Sequence, residues 1–278
     1  MKGPVNDWPK KETMWIYSRT LYVSIPFTWR LPAVRNILVQ RSFEWDTAVL
    51  GGPAVYLMPT FFHDLDFVRI GKYLPAAITH INPYATKTTS GCIRRCKFCA
   101  VPILEGKFKE LKKWKVAPVL IDNNLLASSV EHFDRVIDSL KQFDVVDFNQ
   151  GLDSRLLTSH HAERFKELSN PIIRLALDSM AYVEQWEIAM DILFTAGIAK
   201  NKVRSYALAG FDSDPEEAWA RCQYIEGKGI KVLPMWFHEL DTLDHGIVTE
   251  KQEALGWNDY ERRRIMQWFY QHKKAVNN

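Results

Sequence analysis

Past residue 85 the chain alternates two hydrophobic patterns. Short, nearly continuous apolar runs occupy residues 115–121 (KVAPVLI), 145–149, 172–177, 203–209 and 230–234, and predict strands buried on both faces. Between them lie longer stretches with helical periodicity. In residues 129–143 the apolar positions are Val130, Phe133, Val136, Ile137 and Leu140, the spacing of one helical face. Residues 158–168, 182–196 and 215–228 predict further helices. Their ends carry suitable caps: Thr158 or Ser159 before one, and Asp214-Pro215-Glu216-Glu217 before another. Gly197 and Gly227 or Gly229 act as stops.

With residues 85–89 as the first strand, six β/α units run from about residue 85 to 235. Right-handed crossovers then demand a parallel sheet with helices outside. The expected fold is α/β: a partial (β/α)6 parallel barrel over residues 83–236, a short N-terminal α/β extension over 1–82 and a C-terminal helical extension over 237–278. In the extension, residues 21–27 and 47–58 predict strands and 32–41 a helix. The tail, residues 257–274, mixes Arg262, Arg263, Arg264, Lys273 and Lys274 with Trp268, Phe269 and Tyr270. It predicts a terminal helix with an apolar face docked on the barrel and a basic face in water, the alternative being an RNA- or peptide-contacting helix.

Polar residues gather where the predicted strands end, which is where parallel α/β folds bind ligands. They are Asp122-Asn123-Asn124, then Asn149 to Arg155, then Asp178-Ser179, then Gly210 to Asp214. About half of the Asp and Ser residues here are accounted for by turn and cap preferences. Arg155 and the amides of Asn123, Asn124 and Asn149 are not.

The 278 residues are 47% hydrophobic, ample for a large core, and the formal net charge of +3 is too small to argue nucleic-acid binding by itself. No run approaches the ~18–20 apolar residues of a membrane span. The first eleven residues lack the apolar core of a secretory signal, so a cytoplasmic protein without membrane contact is expected. Most of the ten tryptophans are expected in the core.

The sharpest chemical signal is Ser90-Gly91-Cys92-Ile93-Arg94-Arg95-Cys96-Lys97-Phe98-Cys99. Three thiols from one loop leave one position of a tetrahedral zinc site or a four-cysteine cluster unfilled. A disulfide framework is disfavoured by four cysteines in 278 residues, and Cys222 reads as a buried small apolar residue on a helix. Zinc would need a fourth ligand such as His80, His132 or His160. An iron-sulfur cluster with three thiolates keeps one iron open.

The Cys-x3-Cys-x-Phe-Cys spacing resembles the signature of the radical S-adenosylmethionine (radical SAM) superfamily. The resemblance covers about 150 residues and is specific in its first fifteen. It implies a six-stranded partial barrel, in which Cys92, Cys96 and Cys99 ligate a 4Fe-4S cluster that binds S-adenosylmethionine through its open iron. It further implies that Phe98 lies near the adenine and that the 206–210 segment (YALAG), including Ala209, packs against it. Residues 120–124 stand in the place of the family's Gly-Gly-Glu motif. Here Asp122 takes the place of the glutamate that holds the methionine amino group, a departure from the pattern. Asn123, Asn124, Asn149, Arg155 and Asp178 complete the expected cofactor-binding set. No catalytic acid, base or nucleophile is singled out.

The implied chemistry is reductive cleavage of S-adenosylmethionine and hydrogen abstraction from a substrate, with electrons from an external flavodoxin- or ferredoxin-like donor. The substrate stays open among a nucleoside, a peptide and a small metabolite, nucleic acid included. Two alternatives are an iron-sulfur scaffold or electron-transfer protein that never cleaves the ligand, and a cobalamin-dependent methylase. Gly51-Gly52-Pro53 resembles a segment of cobalamin-binding domains, but no Asp-x-His-x-x-Gly signature accompanies it, and a shortened remnant packed on the barrel is the favoured reading. The stretch from Cys92 to Gly106 is similar to the loop of methylthiotransferases. No cysteine precedes Cys92 for their second cluster, which disfavours that activity. Phe62-His63-Asp64 is expected to be surface loop.

Overall fold

The computed structural model of the protein describes Trp8, residues 10–71 and residues 78–268. The side chain of His80 and the tail residues Phe269, Tyr270, Lys273 and Lys274 lie outside what is described.

The N-terminal part is a four-stranded sheet in the order β1-β2-β3-β4: β1 (Thr13–Tyr17), β2 (Thr20–Ser24), β3 (Thr47–Gly51) and β4 (Val68–Ile70). β1 and β2 form an antiparallel hairpin, whereas β3 and β4 run parallel to β2. Helix α1 (Leu31–Gln40) makes the β2 to β3 crossover, and α2 (Pro53–Leu57) follows β3. The expected strand over residues 47–58 is therefore half strand and half helix, because Gly52 and Pro53 turn the chain out of the sheet. This sheet has its own core, built on Leu21, Val23, Ile25, Leu31, Val34 and Leu50. Of the expected surface loop 62–64, Phe62 is buried in that core, while Asp64 is exposed and forms an ion pair with Arg35.

After α3 (Ile78–Ile81), β5 (Ala85–Thr86) opens the larger sheet. β6 (Thr89–Ser90) leads into the cysteine loop, which contains α4 (Val101–Leu104), and β7 (Lys109–Glu110) leads out. Then follow β8 (Val119–Leu120), α5 (Val130–Leu140), β9 (Val146–Phe148), α6 (Ser159–Lys166), β10 (Pro171–Ala176), α7 (Val183–Thr195), β11 (Val203–Ala209), α8 (Pro215–Gly227), β12 (Lys231–Trp236), α9 (Glu250–Ala254) and α10 (Asp259–Met266). The expected strand at 85–89 is split, because the chain leaves the sheet after Thr86 and pairs again as the β6–β7 hairpin. The run 115–121 contributes only Val119 and Leu120 to the ladder.

The six-stranded sheet has the order β12-β11-β10-β9-β8-β5, every pair parallel. Each strand thus lies beside its predecessor in the winding. With right-handed crossovers this order stacks all the helices on one face, and a sheet covered on one side only is free to curl. The architecture is compatible with a partial barrel, and no pairing joins the edge strands β5 and β12.

Alternation along the strands separates the faces. Val203, Ser205, Ala207 and Ala209 of β11 are buried beneath the helices, where Trp186 Nε1 of α7 donates to Ser205 Oγ (3.1 Å). Arg204, Tyr206 and Leu208 alternate with them toward the other face. That inner face is polar: Arg174 grips the fully buried Asp147 with two hydrogen bonds (2.8 and 2.6 Å), and Tyr206 Oη donates to Asn149 O (2.6 Å). Cys222 of α8 is buried in the helix-side core, and burial pushes its thiol up to about 12. The chain after β12 folds back over the sheet: Gln252 Nε2 donates to Gly210 O (2.7 Å) and Trp257 Nε1 to Ser213 O (2.7 Å). Within the described tail, Ile265 and Trp268 are buried and Arg263 is exposed, but Arg262 is largely covered and Arg264 lies over the Trp219 ring (3.9 Å), so the expected basic face is only partly in water.

Candidate functional site

The cysteine loop is pinned at its base. β6 pairs with β7 across it, and Gly91 passes so close to Lys107 O that a Cβ there would lie 2.4 Å from the oxygen. Two buried carboxylates hold the loop from either side. Asp122, at the end of β8, accepts at Oδ1 from Thr88 N (2.8 Å), Thr88 Oγ1 (3.0 Å), Thr89 Oγ1 (2.7 Å) and Thr89 N. Glu105, just beyond α4, accepts from Ser90 Oγ (3.1 Å) and Gly91 N (2.8 Å) and forms an ion pair with Lys87. Both side chains of that pair are nearly inaccessible, at 3% and 6% exposure. Burial alone would raise the Glu105 carboxyl, but the charge and hydrogen bond of Lys87, joined by the Gly91 N–H and Asn123, outweigh it and leave the carboxyl below its ordinary range. Asp122 goes the other way, since desolvation outweighs its hydrogen bonds and raises it.

All three cysteines of the loop are free and half-buried. Arg94 N (3.3 Å) and Asn124 Nδ2 (3.6 Å) donate to Cys92 Sγ. Burial pushes the Cys96 and Cys99 thiols up, with added pressure from the other cysteines and Asp178; Arg155 opposes this at Cys96, as does the Val101 N–H at Cys99. Thiols so placed gain most from a bound cation, which favours the thiolate. Among the described residues, no three His, Cys, Asp or Glu side chains converge as ligands of a single metal ion. A multinuclear cluster makes a different demand, because it distributes its thiolates over several metal atoms.

Asp153, almost fully buried, draws the neighbouring loops together. It accepts from Arg94 Nε (2.8 Å), from Arg155 Nε and Nη2 (2.7 and 3.1 Å) and from Asn124 Nδ2 (3.4 Å). Burial pushes its carboxyl up, and the two arginines more than reverse that. Arg155 therefore spends two of its nitrogens on Asp153, and its guanidinium lies over the Tyr182 ring (5.1 Å). Asp178 accepts from Leu208 N (3.2 Å) and, chiefly through burial, rises to about 6. Behind it the fully buried Arg221 of α8 donates to Asp178 O, Leu208 O (2.6 Å) and Ser213 Oγ (3.1 Å), tying together the loops that follow β10 and β11. Phe98 meets Phe211 edge-on (5.4 Å), and Phe211 meets Phe237 the same way (4.9 Å).

The structure thus brings Cys92, Cys96, Cys99, Asn124, Arg155 and Asp178 to one rim of the sheet. Four expected residues have other surroundings, among them Asn123, which lines a cavity beside Glu105. Asp122 Oδ1 serves the Thr88–Thr89 turn, while its Oδ2 is buried without a partner. Ala209 is buried under the helices, its carbonyl taken by Phe237 N (2.9 Å), because its place in the alternation turns it from the inner face. Asn149 supports Tyr206 through its main chain. Of the three named zinc candidates, the two whose side chains are described do not join the cysteines. His132 is buried beside Glu110, Arg135 and Trp114, and His160 binds Asp134 (2.8 Å).

Sequence reasoning did not single out Lys87 or Glu105. Both line a cavity of about 510 Å³ between the carboxyl ends of β2, β3 and β4 and the rim beside the cysteine loop. Its lining also includes Gly51, Tyr56, Ile121, Asn123 and Gln150. Only Lys87, directly after the first strand of the sheet, carried a signal in its position.

In comparisons with known proteins, the chain matches no protein-family model and no curated protein.

Proposed function

We propose that this chain is a radical SAM enzyme in which Cys92, Cys96 and Cys99 hold a 4Fe-4S cluster. One observation carries the reading: three free thiols stand on a single loop that two buried carboxylates clamp, with N–H groups turned to sulfur at the carboxyl-end rim of a singly wound parallel sheet. When bound, such a cluster supplies the electron for reductive cleavage of S-adenosylmethionine and hence for hydrogen abstraction from a substrate carbon.

The chain's own residues then divide the remaining work. Asn124 steadies Cys92 through Nδ2, and its Oδ1, buried without a partner, would accept from the methionine amino group. Arg155, oriented by Asp153, would meet the carboxylate. The Phe98 and Phe211 rings offer the adenine a face. Asp122 acts as a positioning residue for the loop. An external flavodoxin- or ferredoxin-like protein would donate electrons, and a reducing compartment such as the cytoplasm suits the free thiols. No helix among the described residues is long and apolar enough to cross a membrane.

The test is 5′-deoxyadenosine formation, followed by mass spectrometry after anaerobic iron-sulfide reconstitution and chemical reduction. The wild type is compared with a Cys92→Ala/Cys96→Ala/Cys99→Ala variant. Product that depends on the thiols supports the reading. A reconstituted cluster that yields none with several reductants turns the assignment to an iron-sulfur scaffold or electron carrier. One feature favours that second reading: Oδ1 of the carboxylate in the place of the family's glutamate is taken by the loop itself, which leaves only the buried Oδ2 for an amino group.

A further inference from the structure

We propose that the 510 Å³ cavity between the two sheets binds a neutral, flat heteroaromatic ring, of which a nucleobase is the commonest cellular example. Its volume falls within the range of about 300–1,000 Å³ typical of small-molecule sites. It also lies where the parallel strands of the two sheets bring their ends together: Ser24, Gly51 and Gly71 follow or end β2, β3 and β4, and Lys87, Ile121 and Asn123 belong to the larger sheet. Carboxyl ends of parallel strands are the ligand-binding ends of such sheets.

The lining selects the chemistry. Trp15 and Tyr22, stacked at 5.5 Å and 7°, give an aromatic wall, and Tyr56 is fixed by its hydrogen bond to Gly71 O (2.5 Å). Ile121 and Leu104 are among the apolar residues of the lining. The two charged residues of the described lining, Lys87 and Glu105, neutralise each other. A phosphate or carboxylate would therefore enter without a counter-ion.

Asn123 decides against a purely aliphatic guest. Its Nδ2 stands near enough to Glu105 to help hold that carboxyl down, yet it is buried and makes no hydrogen bond of good geometry. An acceptor on the guest would give this donor the well-aligned partner it lacks. Asn123 and Gln150 each offer a donor and an acceptor in one plane, the pairing that suits the edge of a base, while the base's faces suit the aromatic wall. The cavity is independent of the cluster assignment, and its test needs neither iron nor S-adenosylmethionine.

Gly51 supplies the probe of location. A Cβ built there meets nothing within 4 Å, so a side chain can start from this lining position, and Gly51→Phe is designed to place its ring in the cavity. Calorimetric titration of the cluster-free full chain with adenosine, guanosine, cytidine, uridine and a mixed-sequence single-stranded oligonucleotide tests the site. Saturable binding of at least one probe is expected, weakened at least tenfold by Gly51→Phe and at least threefold by Asn123→Leu. Tighter binding of free nucleosides identifies a metabolite as the source of the ring, and tighter binding of the oligonucleotide identifies a base presented on a strand. Absence of binding by all five probes overturns the proposal, as does binding that neither variant weakens. Should Gly51→Phe fail to fold by circular dichroism, Asn123→Leu decides alone.

Discussion

Replacing Glu105 with alanine would remove one half of a buried ion pair and both loop contacts that the carboxylate makes. Lys87, at 3% exposure, would be left charged with its carboxylate gone, while Ser90 Oγ and Gly91 N would lose their acceptor. Breaking a buried pair from one side costs about 3–5 kcal/mol. For a chain of this size that corresponds to a melting temperature lower by roughly 6–20 °C. Thermal unfolding followed by circular dichroism reads the loss. The acid dependence gives a second check. The folded-state carboxyl titrates below its ordinary value of 4.5, so its stabilisation is fully present above that value and disappears as pH falls through the depressed one. The gap between wild type and variant should therefore be complete at pH 7 and narrow in acid. Substituting both partners, Lys87→Met with Glu105→Leu, should cost less than either single change, because no uncompensated charge remains. A Glu105→Ala loss under about 1 kcal/mol, or a double variant as damaged as the sum of the singles, would refute the reasoning.

Three further outcomes follow from the same geometry. Thiol titration of the cluster-free native protein should find Cys92, Cys96 and Cys99 reactive and Cys222, buried with its thiol at about 12, reactive only in denaturant; four thiols labelling together would contradict its burial. Asp178, raised from 3.8 to about 6 in the fold, costs stability once ionised, and that cost is relieved as pH falls through this window. Asp178→Asn should accordingly raise the melting point of the cluster-free protein at pH 8, by an equivalent of up to about 3 kcal/mol, with little gain near pH 4; an equal gain at both would show that charge is not the cause. Gly210, at φ +78°, would carry a Cβ 2.7 Å from the Trp236 ring. Gly210→Ala should cost about 2–5 kcal/mol from backbone strain and overpacking together, and a denaturant midpoint within error of wild type would show that the ring has room to shift.

Periodicity made the helix-bearing part of the chain legible. β11 occupies the whole apolar run at 203–209, and α5 to α8 sit where their apolar faces and caps lie, since those signals are local. Legibility fell where long-range pairing decides. Only two residues of the run 115–121 find neighbours in the ladder. Edge strands β1 and β4 owe their state to β2 and β3 rather than to any pattern of their own. The cysteine loop was visible because its three thiols fall within one short stretch of sequence. Its clamps were not, because Lys87 and Glu105 are 18 residues apart and Asp122 meets Thr88 across 34. The face to which the Ala209 side chain turns is likewise a matter of strand register, which the apolar run at 203–209 does not carry.

The tripeptide Asp122-Asn123-Asn124 is one polar word in the sequence, but its side chains go three ways: Asp122 to the back of the cysteine loop, Asn123 to the cavity wall and Asn124 to the Cys92 sulfur. A substitution there alters one of the three tasks. A single-residue insertion or deletion at the end of β8 would reassign all of them at once, leaving the loop, the pocket and the thiol each facing its neighbour's partner. Variation along this stretch is therefore expected to proceed by replacement, with its length held constant.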